Sequence, residues 1–165
     1  MADKYLTLIS GRDTLKAATV VSTGATEAGV IVALDGSGRL DPSVMPAGVV
    51  ADVKVMNTTE ALSAGSYVNI YNVAGTENCR LADKSNDRPA HGFVLGPFSS
   101  STNATIYFEG PNGSFTTLTP GVRMYLSTAG LATATPVTTG IHQFLGIAIS
   151  PTAINTDINE EVVFA

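Results

Sequence analysis

The side chains able to do chemistry in this chain are few and widely spaced. His91 and His142 are its two histidines, and neither has a second ligand at metal-binding spacing. Both stand just before strand-like runs, and related strand starts explain their placement. Cys79 is the single cysteine, so no intrachain disulfide is available. Arg80 beside it would lower its pKa. Yet no histidine or nucleophile signature accompanies the thiol, and a buried or turn position is expected. Asp83, Asp87, Glu109, Asp157, Glu160 and Glu161 make no carboxylate pair of the kind used in glycoside hydrolysis, and read as solvated turn and strand-edge charges. Asp35-Gly36-Ser37-Gly38-Arg39-Leu40-Asp41 is the one acid–glycine cluster. A calcium loop needs more oxygen ligands at alternate positions and no arginine among them, so a hairpin turn is expected. Gly36-x-Gly38 lacks the third glycine and following helix of a dinucleotide site, and no Gly-x-Ser-x-Gly elbow occurs. These residues predict a protein that is not an enzyme, with no catalytic, cofactor-binding or metal-ligating residue and no cofactor.

The elements around them point to an all-β fold. No long segment carries apolar residues at i, i+3, i+4 and i+7. The 16 glycines and 8 prolines recur every few residues, and between them lie short runs rich in Val, Ile, Thr, Tyr and Phe. Such runs at Val53 to Met56, Tyr67 to Tyr71, Ala104 to Phe108, Met124 to Leu126, Phe144 to Ile149 and Val162 to Phe164 predict small antiparallel barrel or sandwich units. Helix is expected for one turn at most, near Ser43 or Thr152. A division falls near Pro46-Ala47-Gly48. It gives an N-terminal arm, 1–47, extended and with short strands, then β units at 48–110 and 111–165; 48–165 as one compact domain is the alternative. The arm has too little apolar content to fold alone. Tyr5 to Ile9 is either a strand-ready piece for a partner or an ordinary first strand.

Composition narrows the function classes. Charged residues make up 14% of the 165-residue chain, against about 25% in average proteins. So sparse a surface charge suits a protein held in an assembly. The net charge of -5 and the scattered lysines and arginines give no basic stripe, which argues against nucleic-acid binding. Met1-Ala2-Asp3-Lys4-Tyr5 does not read as a signal peptide, and apolar stretches such as Val30 to Leu34 are too short to cross a bilayer. One unpaired cysteine is compatible with assembly in a reducing cytoplasm.

A weak internal repeat follows Gly48. Leu62-x-x-Gly65-x-x-Val68-x-Ile70 aligns with Leu118-x-x-Gly121-x-x-Met124-x-Leu126, each followed by a turn glycine, Gly75 and Gly130. Leu81-Ala82 then aligns with Leu131-Ala132, and His91-Gly92-Phe93-Val94 with Leu145-Gly146-Ile147-Ala148. Ile106-Tyr107-Phe108 and Val162-Val163-Phe164 stand as the closing strands, and Gly110-Pro111-Asn112-Gly113 as the turn between copies.

Two regions resemble known proteins. Gly29 to Pro46, with Gly29-Val30-Ile31-Val32-Ala33-Leu34 leading to Gly38-Arg39-Leu40-Asp41-Pro42-Ser43, resembles a segment of phage head-fibre and decoration proteins. Leu118-Thr119-Pro120-Gly121-Val122-Arg123-Met124-Tyr125-Leu126, Gly130-Leu131-Ala132-Thr133, Phe144 to Ile149 and the final Val162-Val163-Phe164 resemble the small capsid-cement proteins of tailed phages. Arg123 and Ser127 stand where that pattern usually has acids. The resemblance implies a non-catalytic homotrimer on the outer capsid surface of a virion, made in the bacterial host cytoplasm. There it would bind the major capsid protein at capsomer junctions and stabilise the head, with no nucleic-acid or membrane partner. The alternative is a head-fibre or tail adhesin that binds a host glycan. That reading is weakened by 7% aromatic content and no tryptophan, since sugar sites favour aromatic platforms. Strand addition near the free terminus makes Lys4, Tyr5, Leu6, Leu8, Ile9 and Arg12 the capsid-contact candidates.

Overall fold

The computed structural model describes residues 4–45 and 52–164, and the chain divides into two compact units, Met1–Val50 and Ala51–Ala165. The expected division at Pro46-Ala47-Gly48 lies outside the described residues. In the first unit β1 (Lys4–Ile9) pairs with β2 (Arg12–Ala17) in an antiparallel hairpin. Ser10 and Gly11 turn it, with φ of 51° and 77°. Two positive φ values give the turn the twist that flanking strands need. A bridge joins Thr19 to Val32, and single 3₁₀ turns occur at Ala25–Glu27 and Pro42–Val44. The Glu27 carboxylate accepts hydrogen bonds from the Thr23 N–H and from the Thr23 and Ser22 hydroxyls, which hold its pKa below the usual range. Asp35 to Asp41 is the expected turn: Asp35 Oδ1 accepts from the N–H groups of Ser37 (2.8 Å) and Arg39 (2.9 Å). No described side chain of this unit is buried.

The second unit is all β among its described residues. Its first half comprises β3 (Val53–Thr58), β4 (Tyr67–Val73), β5 (Thr76–Leu81), β6 (Gly92–Phe93) and β7 (Thr102–Tyr107), a closed barrel in the order β3-β5-β4-β6-β7. A parallel pairing, Asn57↔Asn78 and Thr58↔Cys79, closes it. The second half comprises β8 (Glu109–Asn112), β9 (Arg123–Leu126), β10 (Ala132–Thr133), β11 (Gly140–His142), β12 (Phe144–Ser150), β13 (Ala153–Asp157) and β14 (Val162–Phe164). Its main sheet runs β10-β9-β12-β13-β8, with β11 and β14 paired apart.

These two orders are one topology. Replacing β3, β4, β5, β6 and β7 by β8, β9, β10, β12 and β13 converts the first sheet into the second. The register agrees residue by residue. Gly92 lies opposite Val68 and Gly146 opposite Met124; Phe93 opposite Tyr107 and Ile147 opposite Asn155; Val53 opposite Tyr107 and Pro111 opposite Asn155. Loop hydrogen bonds repeat as well. Gly65 N–H donates to Val94 O (2.8 Å) as Gly121 N–H donates to Ala148 O (2.7 Å), and Val94 N–H donates to Ser66 O (3.0 Å) as Ala148 N–H donates to Val122 O (3.0 Å). The second copy stays open because β10 spans two residues where β5 spans six.

Four sequence expectations are corrected. Ala132 pairs with Leu126 as Cys79 pairs with Ile70, so Ala132 matches Cys79 and the alignment of Leu81-Ala82 with Leu131-Ala132 does not hold. The closing strand of the second copy is β13, not Val162 to Phe164. Gly110-Pro111-Asn112 lies in β8, the first strand of the second copy, rather than in a turn between copies. His91 aligns with Leu145, whereas His142 sits in β11, which has no counterpart in the first copy, so duplicated strand starts do not explain both histidines.

Each copy has its own interior: Met56, Leu62, Val68, Val94 and Ile106 in the first, Met124, Ala148 and Ile154 in the second. A third cluster joins them, packing Tyr67, Ala82, Ala90 and Phe93 against Leu126, Ile141 and Leu145. Buried polar groups cross the same junction. Tyr67 and Thr156 hydroxyls lie 3.0 Å apart, Asn112 Nδ2 donates to Gly65 O (2.9 Å), and Gln143 Oε1 accepts from Ala90 N–H (2.7 Å) while its Nε2 donates to Ala90 O (3.0 Å). Burial pushes the Tyr67 phenol up to about 12 despite the Thr156 contact.

The repeat is set by backbone approach at two glycines. A Cβ on Gly92 would meet Tyr107 O at 2.7 Å and Ile106 Cγ2 at 2.6 Å. A Cβ on Gly146 would collide with the matching Asn155 O and sit tightly, at 3.1 Å, against the matching Ile154 Cγ2, and Gly146 also has a φ of 149°. Gly92→Val and Gly146→Val are each expected to cost at least about 2 kcal/mol, with Gly146→Val the more severe. Thermal denaturation checks this, and unchanged melting temperatures would contradict the equivalence.

Candidate interaction surface

The six capsid-contact candidates all fall on the β1–β2 hairpin, but not on one face of it. Residues directly opposite in an antiparallel pair share a face, and alternate residues change face. The register Lys4↔Ala17, Leu6↔Leu15 and Leu8↔Asp13 therefore puts Lys4, Leu6 and Leu8 on one side. Tyr5, Ile9 and Arg12 lie on the other, with Tyr5 opposite Lys16 and Ile9 opposite Arg12. The second side is partly covered: Tyr5, Thr7, Thr14 and Lys16 are half-buried, and the Tyr5 hydroxyl accepts from Ile31 N–H (3.3 Å). The first side is open, with Leu6 64%, Leu8 69% and Leu15 63% exposed.

Leu15 was missed by the sequence reading, although it completes the apolar face. The Ser10-Gly11 pair was the signal. A two-residue turn fixes the register, and that register places Leu15 against Leu6. The alternating Arg12-Asp13-Thr14-Leu15-Lys16-Ala17 reads as too polar for a strand until it is folded onto β1.

The chemistry-bearing residues lie elsewhere and apart from one another. Cys79 is fully buried in the first barrel, and burial pushes its thiol pKa up, only partly offset by the Thr58 hydroxyl. Arg80 does not act on it, because neighbouring strand residues point to opposite faces. Its Nε donates to Asn69 Oδ1 (3.1 Å) and its guanidinium lies 4.2 Å from the centre of the Tyr71 ring. His91 Nδ1 accepts the Ile70 N–H (2.9 Å). Burial lowers the His91 pKa, opposed by the nearby Glu161. The His142 ring lies tilted against Tyr125 (centroids 5.0 Å apart) and edge-on to Phe164 (5.7 Å). Burial raises the Asp83 pKa, but bonds from the Ser85 N–H and hydroxyl (both 2.8 Å) and the Ala129 N–H (3.2 Å) leave it below the usual range.

One carboxylate pairing differs from the sequence expectation. Glu109 and Asp157 lie directly opposite each other on β8 and β13. With Asp52 they line a cleft of about 610 Å³ that also exposes parts of Leu95, Tyr107 and Pro111. Among the described residues, no three His, Cys, Asp or Glu side chains are grouped to hold a metal ion, and no helix is long and apolar enough to cross a membrane. Comparison of the chain with protein families, curated proteins and solved structures finds no match.

Two outcomes follow. Cys79 should resist a water-soluble thiol reagent at neutral pH and react only as the body unfolds; fast labelling of native protein would place the thiol at the surface. His91 binds a proton less readily folded than unfolded, so its contribution is intact above about pH 6.5 and is lost as pH falls through the lower folded value. Denaturant midpoints at pH 7.5 and 5 should fall further for the native sequence than for His91→Gln; equal falls would contradict this.

Proposed function

We propose that this chain is a structural virion protein, a capsid decoration protein that binds the outer surface of a tailed-phage head as a homotrimer and stabilises it. One observation carries the reading: the apolar hairpin face of Leu6, Leu8 and Leu15 stands in a unit that buries none of its described residues. Large contiguous apolar surface on a soluble protein marks a site of association. A unit with no interior gains its stability from what it binds, whereas Ala51–Ala165 has complete interiors of its own.

The hairpin suits a protein shell as partner. Its outer strand edges offer unpaired backbone groups for strand addition, and its leucines supply apolar burial worth about 2 kcal/mol each if fully covered. Three hairpins on one trimer would engage together, so weak single contacts add through high effective concentration. The net charge of -5 supports the outer surface over the genome side. The resemblances of Gly29 to Pro46 and of the C-terminal half to decoration proteins point the same way.

The test is binding to purified empty heads. The native chain should bind and raise the temperature or chelator concentration at which heads fail. The double variant Leu6→Asp, Leu8→Asp should bind at least about 100-fold more weakly with an unchanged melting temperature for the body. No binding by the native chain, together with binding to host cells, would overturn this reading in favour of a glycan-binding adhesin.

A further inference from the structure

Asn112-Gly113 is the single Asn–Gly pair in the sequence. An asparagine followed by glycine loses ammonia readily, because no side chain keeps the next backbone nitrogen from the asparagine's side-chain carbonyl carbon. Here the pair straddles the surface of the body. Asn112 ends β8 opposite Ile154 and is fully buried, whereas Gly113 is exposed. The register equivalences match Asn112 to Lys54 of the first copy, which is exposed. The burial of Asn112 therefore comes from the sister module and not from a place in its own sheet. Gly65 of that module, with a φ of 82°, approaches so closely that a Cβ on it would lie 3.3 Å from Asn112 Oδ1 and 2.8 Å from Ser114 Cβ.

Only one half of the buried amide is satisfied. Nδ2 donates to Gly65 O (2.9 Å), while Oδ1 is buried with no hydrogen-bond partner among the described residues. Native structures leave few buried polar atoms orphaned in this way. The donor half is thus what ties Asn112 to the sister module. A carboxylate in its place would lose that donor and set an oxygen against Gly65 O, two acceptors face to face at a fully buried position.

We propose that Asn112-Gly113 is a self-modification site, masked while the two copies are packed together and reactive once they part, whose product bars the junction from closing again. The reactants are the chain itself and water. The Gly113 nitrogen, giving its proton to hydroxide, attacks Asn112 Cγ. The Cγ–Nδ2 bond breaks, and Nδ2 takes a proton from water and leaves as ammonia, which restores the hydroxide. Water then adds to one of the two carbonyls of the five-membered imide, and the ring opens to aspartate or to β-linked isoaspartate. In sum, an amide and water become an acid and ammonia, with no oxidation or reduction. The closed body blocks the first step twice. The amide is bonded to Gly65 O, and the strand pairing with Ile154 holds the Asn112 side chain away from the peptide that follows it. Opening of the junction releases both restraints. Chains that stay closed keep the amide, and chains that have opened carry a charge that belongs at a buried site. The inference goes beyond the proposed function and is independent of what the protein binds.

Peptide mass spectrometry of the full chain, held in mildly alkaline buffer with and without denaturant, measures conversion at residue 112. Conversion should be at least about 100-fold slower in the native chain than in denaturant. Gly113 is an open position, where an added Cβ meets nothing within 4 Å and φ is not positive. Gly113→Ala should therefore keep the native melting temperature and slow conversion in denaturant at least about tenfold. Asn112→Asp, which makes one product directly, should melt at least about 5 °C below the native chain or fail to fold. Equal conversion with and without denaturant would overturn the masking. Conversion in denaturant that Gly113→Ala leaves unchanged would overturn the site. An Asn112→Asp chain that melts as the native chain does would overturn its effect on the junction.

Discussion

Burial of the Tyr67–Phe93 face beneath Leu126, Ile141 and Leu145 is the contact on which the body depends. Without it, a two-residue β6 and a two-residue β10 would be left holding a small barrel and an open sheet. Neither would have the apolar burial that a domain of its size needs. The contact also explains why the second copy is open. Closing it with a long β10, as β5 closes the first, would turn Leu126 toward a private interior, as its equivalent Ile70 is turned in the first copy. The open sheet instead lends one end of its inner face to the sister module. Gln143, fully hydrogen-bonded to Ala90 and to Asn159 O (3.1 Å), locks the junction in one register, since any slip would strand a buried amide.

The N-terminal unit obeys a different constraint. Its turns are satisfied locally, by Asp35, by Glu27 and by Asp41, whose carboxylate takes the Ser43 hydroxyl and N–H and is held below the ordinary range by them. Local polar capping sets shape without supplying an interior. Leu6, Leu8, Leu15, Ile31 and Leu34 are all more than half exposed. The Ala51–Ala165 unit has interiors of its own, whereas the N-terminal unit leaves its apolar side chains at the surface.

Much of the architecture was legible in the residues. β4, β7, β9, β12 and β14 fall on the β-branched and aromatic runs, and the repeat was visible in Leu62-x-x-Gly65 and Leu118-x-x-Gly121. What was hidden shares a physical cause. β5 (Thr-Glu-Asn-Cys-Arg-Leu), β8 (Glu-Gly-Pro-Asn) and β13 (Ala-Ile-Asn-Thr-Asp) are rich in polar or turn-forming residues, and their strand state comes from partners distant in sequence. The closing strand was misplaced for that reason: Val162-Val163-Phe164 has the stronger propensity, but Ile154 has the buried position. In the N-terminal unit a strand was legible from Tyr5 to Ile9, whereas its hairpin partner and the division into two faces needed the register.

Hydrogen exchange of the native chain, followed residue by residue, tests the central claim most directly: the two copies form one cooperative body and the N-terminal unit stands outside it. Amides of β4, β6, β9 and β12 should share a single, highest opening free energy, while those of β1 and β2 exchange far faster. Separate opening energies for the two copies, or hairpin amides as protected as those of β4, would contradict it.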